Sequence, residues 1–284
     1  MERRPFGSTG EELSIIGFGG IVVMNTEPGE ARNRVAEAVD RGVNYFDVAP
    51  SYGNAEACLG PALEPYRRGV FLACKTGKRT RAEAAAELRA SLERLRTDHF
   101  DLYQLHAMTT REDLEIATGP GGALEAFVEA RDAGLVRHLG FSAHSVEIAL
   151  ELMDRFPFAS VLFPLNWMEY VNARFGPQVV ERAAALGMGR LALKAMARQK
   201  WPEGSDRTAW PHCWYEPCTD PEENALALRF TLSQPITAAI PPGDVRLFRR
   251  ALDVADQFTP LTPAEVEELR RRANGLEPFF RLAA

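Results

Sequence analysis

The 284-residue sequence has few cysteines, no long hydrophobic run and little excess of charge of either sign. Four cysteines are too few for a disulfide scaffold, and they predict a reducing, cytoplasmic setting. A formal net charge of −6 gives no electrostatic reason to expect nucleic acid or an anionic membrane as a partner. No apolar stretch approaches the ~18 residues that a membrane-spanning helix requires. With 46% hydrophobic and 25% charged residues, the sequence is also unlike disordered or collagen-like chains.

The N-terminus superficially imitates a secretory signal, because Arg3 and Arg4 precede an apolar run that starts at Ile15. However, Glu11 lies between the basic pair and that run, where a signal peptide carries no acidic residue. We therefore expect a β-strand over Leu13–Gly19 instead of a signal peptide.

Short apolar runs alternate with longer stretches of helical period along the whole chain. The eight predicted strands are Leu13–Gly19, Tyr45–Ala49, Val70–Lys75, Leu102–His106, His138–Ser142, Val161–Asn166, Arg190–Lys194 and Ala238–Pro241. The predicted helices are Ala31–Arg41, Thr80–Arg96, Leu124–Ala133, Val146–Phe156, Pro177–Leu186, Glu222–Leu232 and Val245–Phe258. Strict alternation of strand and helix requires a parallel sheet, and eight such units close into a (β/α)8 barrel. No linker or repeat interrupts the pattern, which predicts a single domain over residues 1–284.

Four ionisable residues lie at or just after the ends of three successive predicted strands: Asp47, Tyr52, Lys75 and His106. In a (β/α)8 barrel, strand ends of this kind face the active site. The combination suits the reduction of a carbonyl, whose oxygen must receive a proton while its carbon receives a hydride. We expect the Lys75 ammonium to lower the pKa of the Tyr52 phenol, since a nearby cation favours the phenolate. Asp47 would keep the buried lysine charged, and His106 would orient the carbonyl.

These residues stand in segments that resemble the aldo-keto reductase superfamily, in a divergent bacterial-type branch. The segment 46–53, FDVAPSYG, is similar to the family's FDTAxxYG, and 98–106, DHFDLYQLH, is similar to its DYxDLYxxH. The resemblance implies a barrel that binds NADPH, with NADH as the other possibility, and reduces a small aldehyde or ketone as a monomer or homo-oligomer. Tyr52 would then be the proton donor, with Lys75 and Asp47 as its tuning pair.

The resemblance and the strand ends together give a set of expected cofactor contacts. They are Gly20, Ile21, Asp47, Ser142, Asn166, Leu193, Lys194, Met196, Pro242, Gly243 and Arg246. The turn at Pro242–Gly243 precedes a helix, whose N-terminal N–H groups favour a phosphate. Here the sequence also departs from the family, because Ser142 is followed by Ala143 where the family commonly has asparagine.

A tryptophan-rich insertion, residues 198–220, separates the last two strands. Trp201, Trp210 and Trp214 in this loop are expected to cover the barrel mouth and line a substrate pocket, with packing against another subunit as the alternative. Its His212, Cys213 and Cys218 have no matching ligand pair elsewhere, so we expect no metal site. The sequence does not predict where the C-terminal tail, residues 259–284, packs on the barrel.

The leading hypothesis is an NAD(P)H-dependent reductase of aldehydes and ketones. One alternative is a cofactor-binding regulatory or structural subunit with little turnover. Another is a barrel lyase that forms a Schiff base on Lys75 or Lys194. The sequence leaves the natural substrate, the reaction direction, the cofactor preference and the oligomeric state open.

Overall fold

Eight parallel strands form the centre of the molecule, which a computed structural model describes for residues 1–282. The strands within these residues are β1 (Arg3–Pro5), β2 (Glu12–Ser14), β3 (Phe18–Gly19), β4 (Tyr45–Asp47), β5 (Phe71–Thr76), β6 (Phe100–Met108), β7 (Val136–Ala143), β8 (Ser160–Pro164), β9 (Gly189–Leu193), β10 (Ala197–Gln199), β11 (Glu216–Pro217) and β12 (Ala238–Ile240). The large sheet runs in the order β12-β9-β8-β7-β6-β5-β4-β3, and all of its pairs are parallel.

Two hydrogen bonds join the ends of this sheet into a barrel. The N–H of Gly17 donates to the carbonyl of Ala239 at 2.9 Å, and the N–H of Ala239 donates to the carbonyl of Ile15 at 2.9 Å. The predicted (β/α)8 fold is therefore confirmed.

Helices connect the strands and cover the barrel from outside. They are α1 (Pro28–Asp40), α2 (Ala55–Leu63), α3 (Arg81–Leu95), α4 (Arg111–Thr118), α5 (Ala123–Asp132), α6 (Val146–Arg155), α7 (Pro177–Ala185), α8 (Pro221–Leu232), α9 (Val245–Asp256) and α10 (Pro263–Ala273). Side chains that the strands direct inward fill the barrel, among them Tyr45, Phe71, Leu102 and Leu191. Within the described residues, no helix is both long and apolar enough to cross a membrane.

The first predicted strand is wrong in its extent. The stretch Leu13–Gly19 is broken, because Glu12–Ser14 pairs with Arg3–Pro5 in an antiparallel hairpin and only the later residues join the barrel. At the break, the hydroxyl of Ser14 donates to the carbonyl of Ile16 at 2.7 Å. This local bond bends the chain from the hairpin into the barrel.

The tail beyond α9 folds back onto the barrel. Helix α10 buries Leu269 and Ala273 against Trp167 and α8. The following segment reaches Phe280, which stacks on Phe175 with 5.1 Å between ring centroids. Residues 283 and 284 of the predicted tail lie outside the described part.

Candidate active site

The predicted catalytic residues lie at the end of the barrel where the strands finish. Asp47 ends β4, Lys75 lies in β5 and His106 lies in β6. Tyr52 lies in a turn after β4, and its backbone N–H donates to the carbonyl of Ala49 at 3.0 Å. Four residues that are distant in the sequence therefore share one rim, as their spacing predicts.

Lys75 and Asp47 form a fully buried ion pair beneath this rim. Tyr45 donates a hydrogen bond to the other carboxylate oxygen of Asp47 at 3.1 Å. The Lys75 ammonium also approaches the Tyr52 ring, with 5.3 Å from Nζ to the ring centroid. Burial lowers the pKa of Lys75, but the neighbouring Asp47 carboxylate opposes burial, and the net shift raises this pKa above its ordinary value. The lysine is therefore charged at neutral pH.

The pKa of Tyr52 differs from the sequence-based expectation. Burial raises it above its ordinary value, and the Lys75 ammonium only partly opposes that shift. The ammonium thus lowers this pKa as expected, but the net shift is upward, because loss of solvent penalises the phenolate more than one cation favours it. The phenol holds its proton at neutral pH, which is the state that a proton donor needs.

His106 stands beside Tyr52 with its ring edge-on, at 5.8 Å between centroids. Burial, followed by the nearby Lys75 charge, lowers the pKa of His106 to about 3. Its Nδ1 lies 3.4 Å from the Ser51 hydroxyl. If that hydroxyl donates to Nδ1, the hydrogen of the neutral ring is on Nε2. His106 is thus a neutral hydrogen-bond group at the rim.

A cavity opens above these residues at the barrel mouth. Of the residues predicted for the site, it is lined by Ile21, Tyr52, His106, Ser142, Leu193, Lys194, Trp214, Pro242 and Gly243. It is also lined by residues that the sequence did not assign to the site: Leu162, His144, His212, Tyr215, Ile240 and Pro241. Asp47 and Lys75 lie buried beneath the cavity. Within the part of the chain that the structure describes, no cluster of side chains could hold a metal ion.

Other predicted contacts lie away from the cavity lining. Met196 and Gly20 are buried in the packing below it. The Nδ2 group of Asn166, which follows β8, is buried without a hydrogen-bond partner among residues 1–282. Arg246 pairs with Asp244 at 2.7 Å and stacks on the ring of Trp210, 4.0 Å from its centroid.

The insertion has more order than a loop without secondary structure. Strands β10 and β11 pair at its base. Trp201 donates its indole N–H to the carbonyl of Cys213 at 2.9 Å, which ties the insertion to itself. Trp214 is 67% exposed and stands over Tyr52, with 6.5 Å between ring centroids. Of the three predicted pocket tryptophans, only Trp214 reaches the cavity.

The turn at residues 242–244 has features that suit a phosphate group. A Cβ at Gly243 would lie 2.2 Å from Ile21, so only glycine allows this close approach. Asp244 then begins α9 and accepts a hydrogen bond from the N–H of Arg246 at 2.9 Å. The N–H of Leu247 also interacts with this carboxylate, so the cap leaves the N–H of Val245 as the available donor of the first turn. The turn, which lines the cavity beside Ile21, fits a phosphate of an extended dinucleotide, whereas the Asn166 amide is fully buried outside the cavity lining.

Comparisons with known proteins agree with this geometry. A family model for the aldo/keto reductase family matches residues 15–212. The chain is 28% identical over 180 residues to the oxidoreductase YqkF of Bacillus subtilis, covering 58% of this chain and 56% of YqkF. It is 32% identical over 192 residues to the aldo-keto reductase YhdN of the same organism, covering 60% of this chain and 55% of YhdN. The matches thus span little more than half the length of these curated relatives.

The fold agrees with solved structures over nearly the whole chain. The holo form of an aldo-keto reductase from Bacillus halodurans superposes with a TM-score of 0.76 at 24% identity. That match covers 98% of both chains. At this level of identity, the likeness shows the barrel fold alone.

Proposed function

Since the chain belongs to the aldo/keto reductase family, we propose that it is an NAD(P)H-dependent oxidoreductase that reduces aldehyde or ketone carbonyls. The observation that carries the proposal is the buried Lys75–Asp47 ion pair directly beside the Tyr52 ring at the cavity. A buried pair of this kind is weak evidence for stability, because desolvation offsets much of the attraction. Next to a phenol that faces a cavity, the pair has a chemical use.

The proton donor of the proposed reaction is Tyr52. Its phenol is protonated at rest, and the charged Lys75 stabilises the phenolate that forms when the proton leaves. Asp47 holds the ammonium in place and keeps it charged. His106 donates from Nε2 to the carbonyl oxygen and fixes its orientation. A reduced nicotinamide, when bound, supplies the hydride to the carbonyl carbon.

A nicotinamide dinucleotide would lie across the barrel mouth. The residues proposed to hold it are Gly20, Ile21, Asp47, Ser142, Asn166, Leu193, Lys194, Met196, Pro242, Gly243 and Arg246. Asn166 offers an unpaired amide, and the turn before α9 offers N–H groups for the pyrophosphate. Arg246, although paired with Asp244, is the cation of this turn that we propose for the 2′-phosphate of NADPH, so NADPH is the proposed cofactor ahead of NADH.

Titration of the protein with NADPH and NADH, followed by a screen of carbonyl compounds, tests the proposal. We expect fluorescence quenching by NADPH at micromolar concentration and loss of NADPH absorbance when an aldehyde is added. Tyr52→Phe is the matched control, because it removes only the hydroxyl and should bind NADPH as the native chain does. Tight NADPH binding without oxidation by any carbonyl would contradict the proposal and favour a regulatory subunit.

A further inference from the structure

The cavity contains a lysine that has no carboxylate partner in the part of the chain that is described. Lys194 follows β9, and its Nζ lies 3.4 Å from Nε2 of His144. The ammonium otherwise faces two aromatic rings, Tyr215 at 6.0 Å and Phe280 at 5.7 Å from Nζ to the centroids. Among the cavity-lining residues there is no aspartate or glutamate within residues 1–282.

One carboxylate acts on Lys194 electrostatically, but it has other partners. Glu169 is fully buried and accepts the N–H of Phe279 at 2.8 Å and that of Phe280 at 3.3 Å. These bonds fasten the C-terminal tail to the barrel. Burial raises the pKa of Glu169 to about 7, which leaves it only partly ionised at neutral pH. Glu169 therefore compensates Lys194 incompletely.

Two features of Lys194, its burial and its backbone conformation, are unfavourable for the stability of the fold. Burial lowers the pKa of its ammonium to about 8, although the group is still mostly charged at neutral pH. Its backbone has a φ of +64°, a left-handed conformation that is uncommon for a residue with a side chain. Strain of this kind is typical of functional positions, where the surrounding structure holds a side chain in place.

His144 explains how the ammonium is held. Burial and the Lys194 charge lower the pKa of His144 to about 3, so its ring is neutral and Nε2 can accept a hydrogen from Lys194. A lysine has three N–H donors. One directed to His144 leaves two for a ligand in the cavity.

We propose that Lys194 and His144 form an anion subsite that binds a carboxylate of the substrate, so that the preferred substrates are aldehydes or ketones with an acidic group. The inference rests on the proposed function, because the anion is placed relative to the carbonyl site at Tyr52 and His106. Lys194 is also among the residues proposed above to contact the cofactor, and a cofactor phosphate has the same chemistry as a carboxylate; the subsite assigns the ammonium to the substrate instead. A cofactor phosphate, however, already has the N-terminus of α9 and Arg246 as candidate partners.

A pair of aldehydes, one ending in a methyl group and the other in a carboxylate, tests the subsite. Butanal and 4-oxobutanoate have the same four-carbon chain, and only the second has a carboxylate. We expect kcat/KM for 4-oxobutanoate to exceed that for butanal by about 10- to 100-fold, as a charge-assisted hydrogen bond allows. Lys194→Met should reduce this ratio to about one. Lys194→Arg should restore part of it, because the positive charge remains.

Lys78→Met is the matched control, since Lys78 is an exposed lysine after β5 at the same end of the barrel. This variant should keep the full ratio. The affinity of each variant for NADPH, measured by fluorescence, separates the two sources of an anion. A Lys194→Met variant that binds NADPH weakly yet keeps the substrate ratio would assign Lys194 to the cofactor phosphate and overturn the subsite.

Two other results have distinct meanings. Equal kcat/KM for the two substrates in the native protein would overturn the anion subsite while the reductase function stands. Absence of turnover with both substrates and with the wider carbonyl screen would contradict the reductase function itself. If Lys194→Met does not fold, the native ratio and its value in Lys194→Arg still decide the question.

Discussion

The two ends of the barrel treat buried charge differently. Where the strands begin, the buried Asp101 is surrounded by cations. At the opposite end, the ammonium of Lys194 has no ion-pair partner among residues 1–282. Asp101 pairs with Arg67 at 2.9 Å and Arg137 at 3.2 Å and accepts the N–H of Leu72 at 2.8 Å. A polar cavity lies there too, but its lining contains charges of both signs. The pairing at this end is typical of a charge that stabilises the fold.

At the rim formed by the strand ends, the ionisable groups are arranged differently. Lys75, which pairs with Asp47, contacts a phenol that faces the cavity, and burial keeps His106 and His144 neutral. Charge at this end is thus placed where a reaction can use it, at a cost in stability. The difference between the two ends agrees with the general division of (β/α)8 barrels into a stabilising face and a functional face.

The largest effect is expected from the ion pair at the rim. Lys75→Met should lower kcat about 1,000-fold, because the phenolate formed at Tyr52 loses its stabilising cation. It should also lower the free energy of unfolding by about 3 kcal/mol, since Asp47 stays buried without a cation. Steady-state kinetics and urea unfolding measure the two effects.

The double variant Asp47→Asn with Lys75→Met separates the effect on kcat from the effect on stability. It should recover most of the lost stability, because no uncompensated charge remains, while kcat stays low. Recovery of kcat together with stability would show that the pair is only structural.

The opposite end should give the reverse result. Asp101→Ala removes the carboxylate that pairs with Arg67 and leaves the N–H of Leu72 without its acceptor, so we expect a loss of about 3 kcal/mol in the free energy of unfolding. We expect kcat to change less than about twofold, because the site lies at the far end of the barrel. Asp132→Ala, which removes an exposed pair with Arg131, should cost less than about 0.5 kcal/mol. A fall in kcat at unchanged stability would contradict the division between the two ends.

Removing the ammonium of Lys194 should stabilise the folded protein. Its pKa is about 8 in the folded protein, against the ordinary lysine value of 10.5 in the unfolded chain, so the folded protein binds fewer protons between these values. Charging the buried group therefore costs stability below pH 8, and the cost disappears as pH rises toward 10.5. We expect Lys194→Met to raise the free energy of unfolding at pH 7 by about 3 kcal/mol, the equivalent of this pKa difference. Thermal unfolding from pH 7 to 10.5 should show the gain shrinking; a constant difference would contradict the assigned cause.

The smallest effect is expected at the edge of the mouth. Trp214→Ala removes a mostly exposed ring above Tyr52, so stability should change by less than about 0.5 kcal/mol. The KM for an aromatic aldehyde should rise about three- to tenfold, as for the loss of one aromatic contact. The same substitution at Trp201, whose N–H is bound within the insertion, should cost stability instead.

The sequence predicted the barrel and the four residues of the rim because both depend on local patterns. Seven of the eight predicted strands differ from the observed ones only in their ends, since buried parallel strands are continuous apolar runs. Helix α2 was missed because its interior contains Pro61 and its first turn has no capping side chain. Helices α4 and α10 were also missed.

The rest of the site depends on contacts between distant parts of the chain. Lys194 and His144 are 50 positions apart, and Glu169 meets the tail 110 positions later. No periodicity connects such residues. The net pKa of Tyr52 was likewise beyond a sequence argument, because it depends on how much solvent the folded rim excludes.

The central claim is that the phenol of Tyr52 protonates the carbonyl oxygen as hydride reaches the carbon. Stopped-flow measurement of one turnover, with NADPH saturating and an aldehyde in excess, tests it most directly. For Tyr52→Phe we expect NADPH oxidation to slow at least about 100-fold, with the Kd for NADPH unchanged. A single-turnover rate within a few-fold of the native one would contradict the claim.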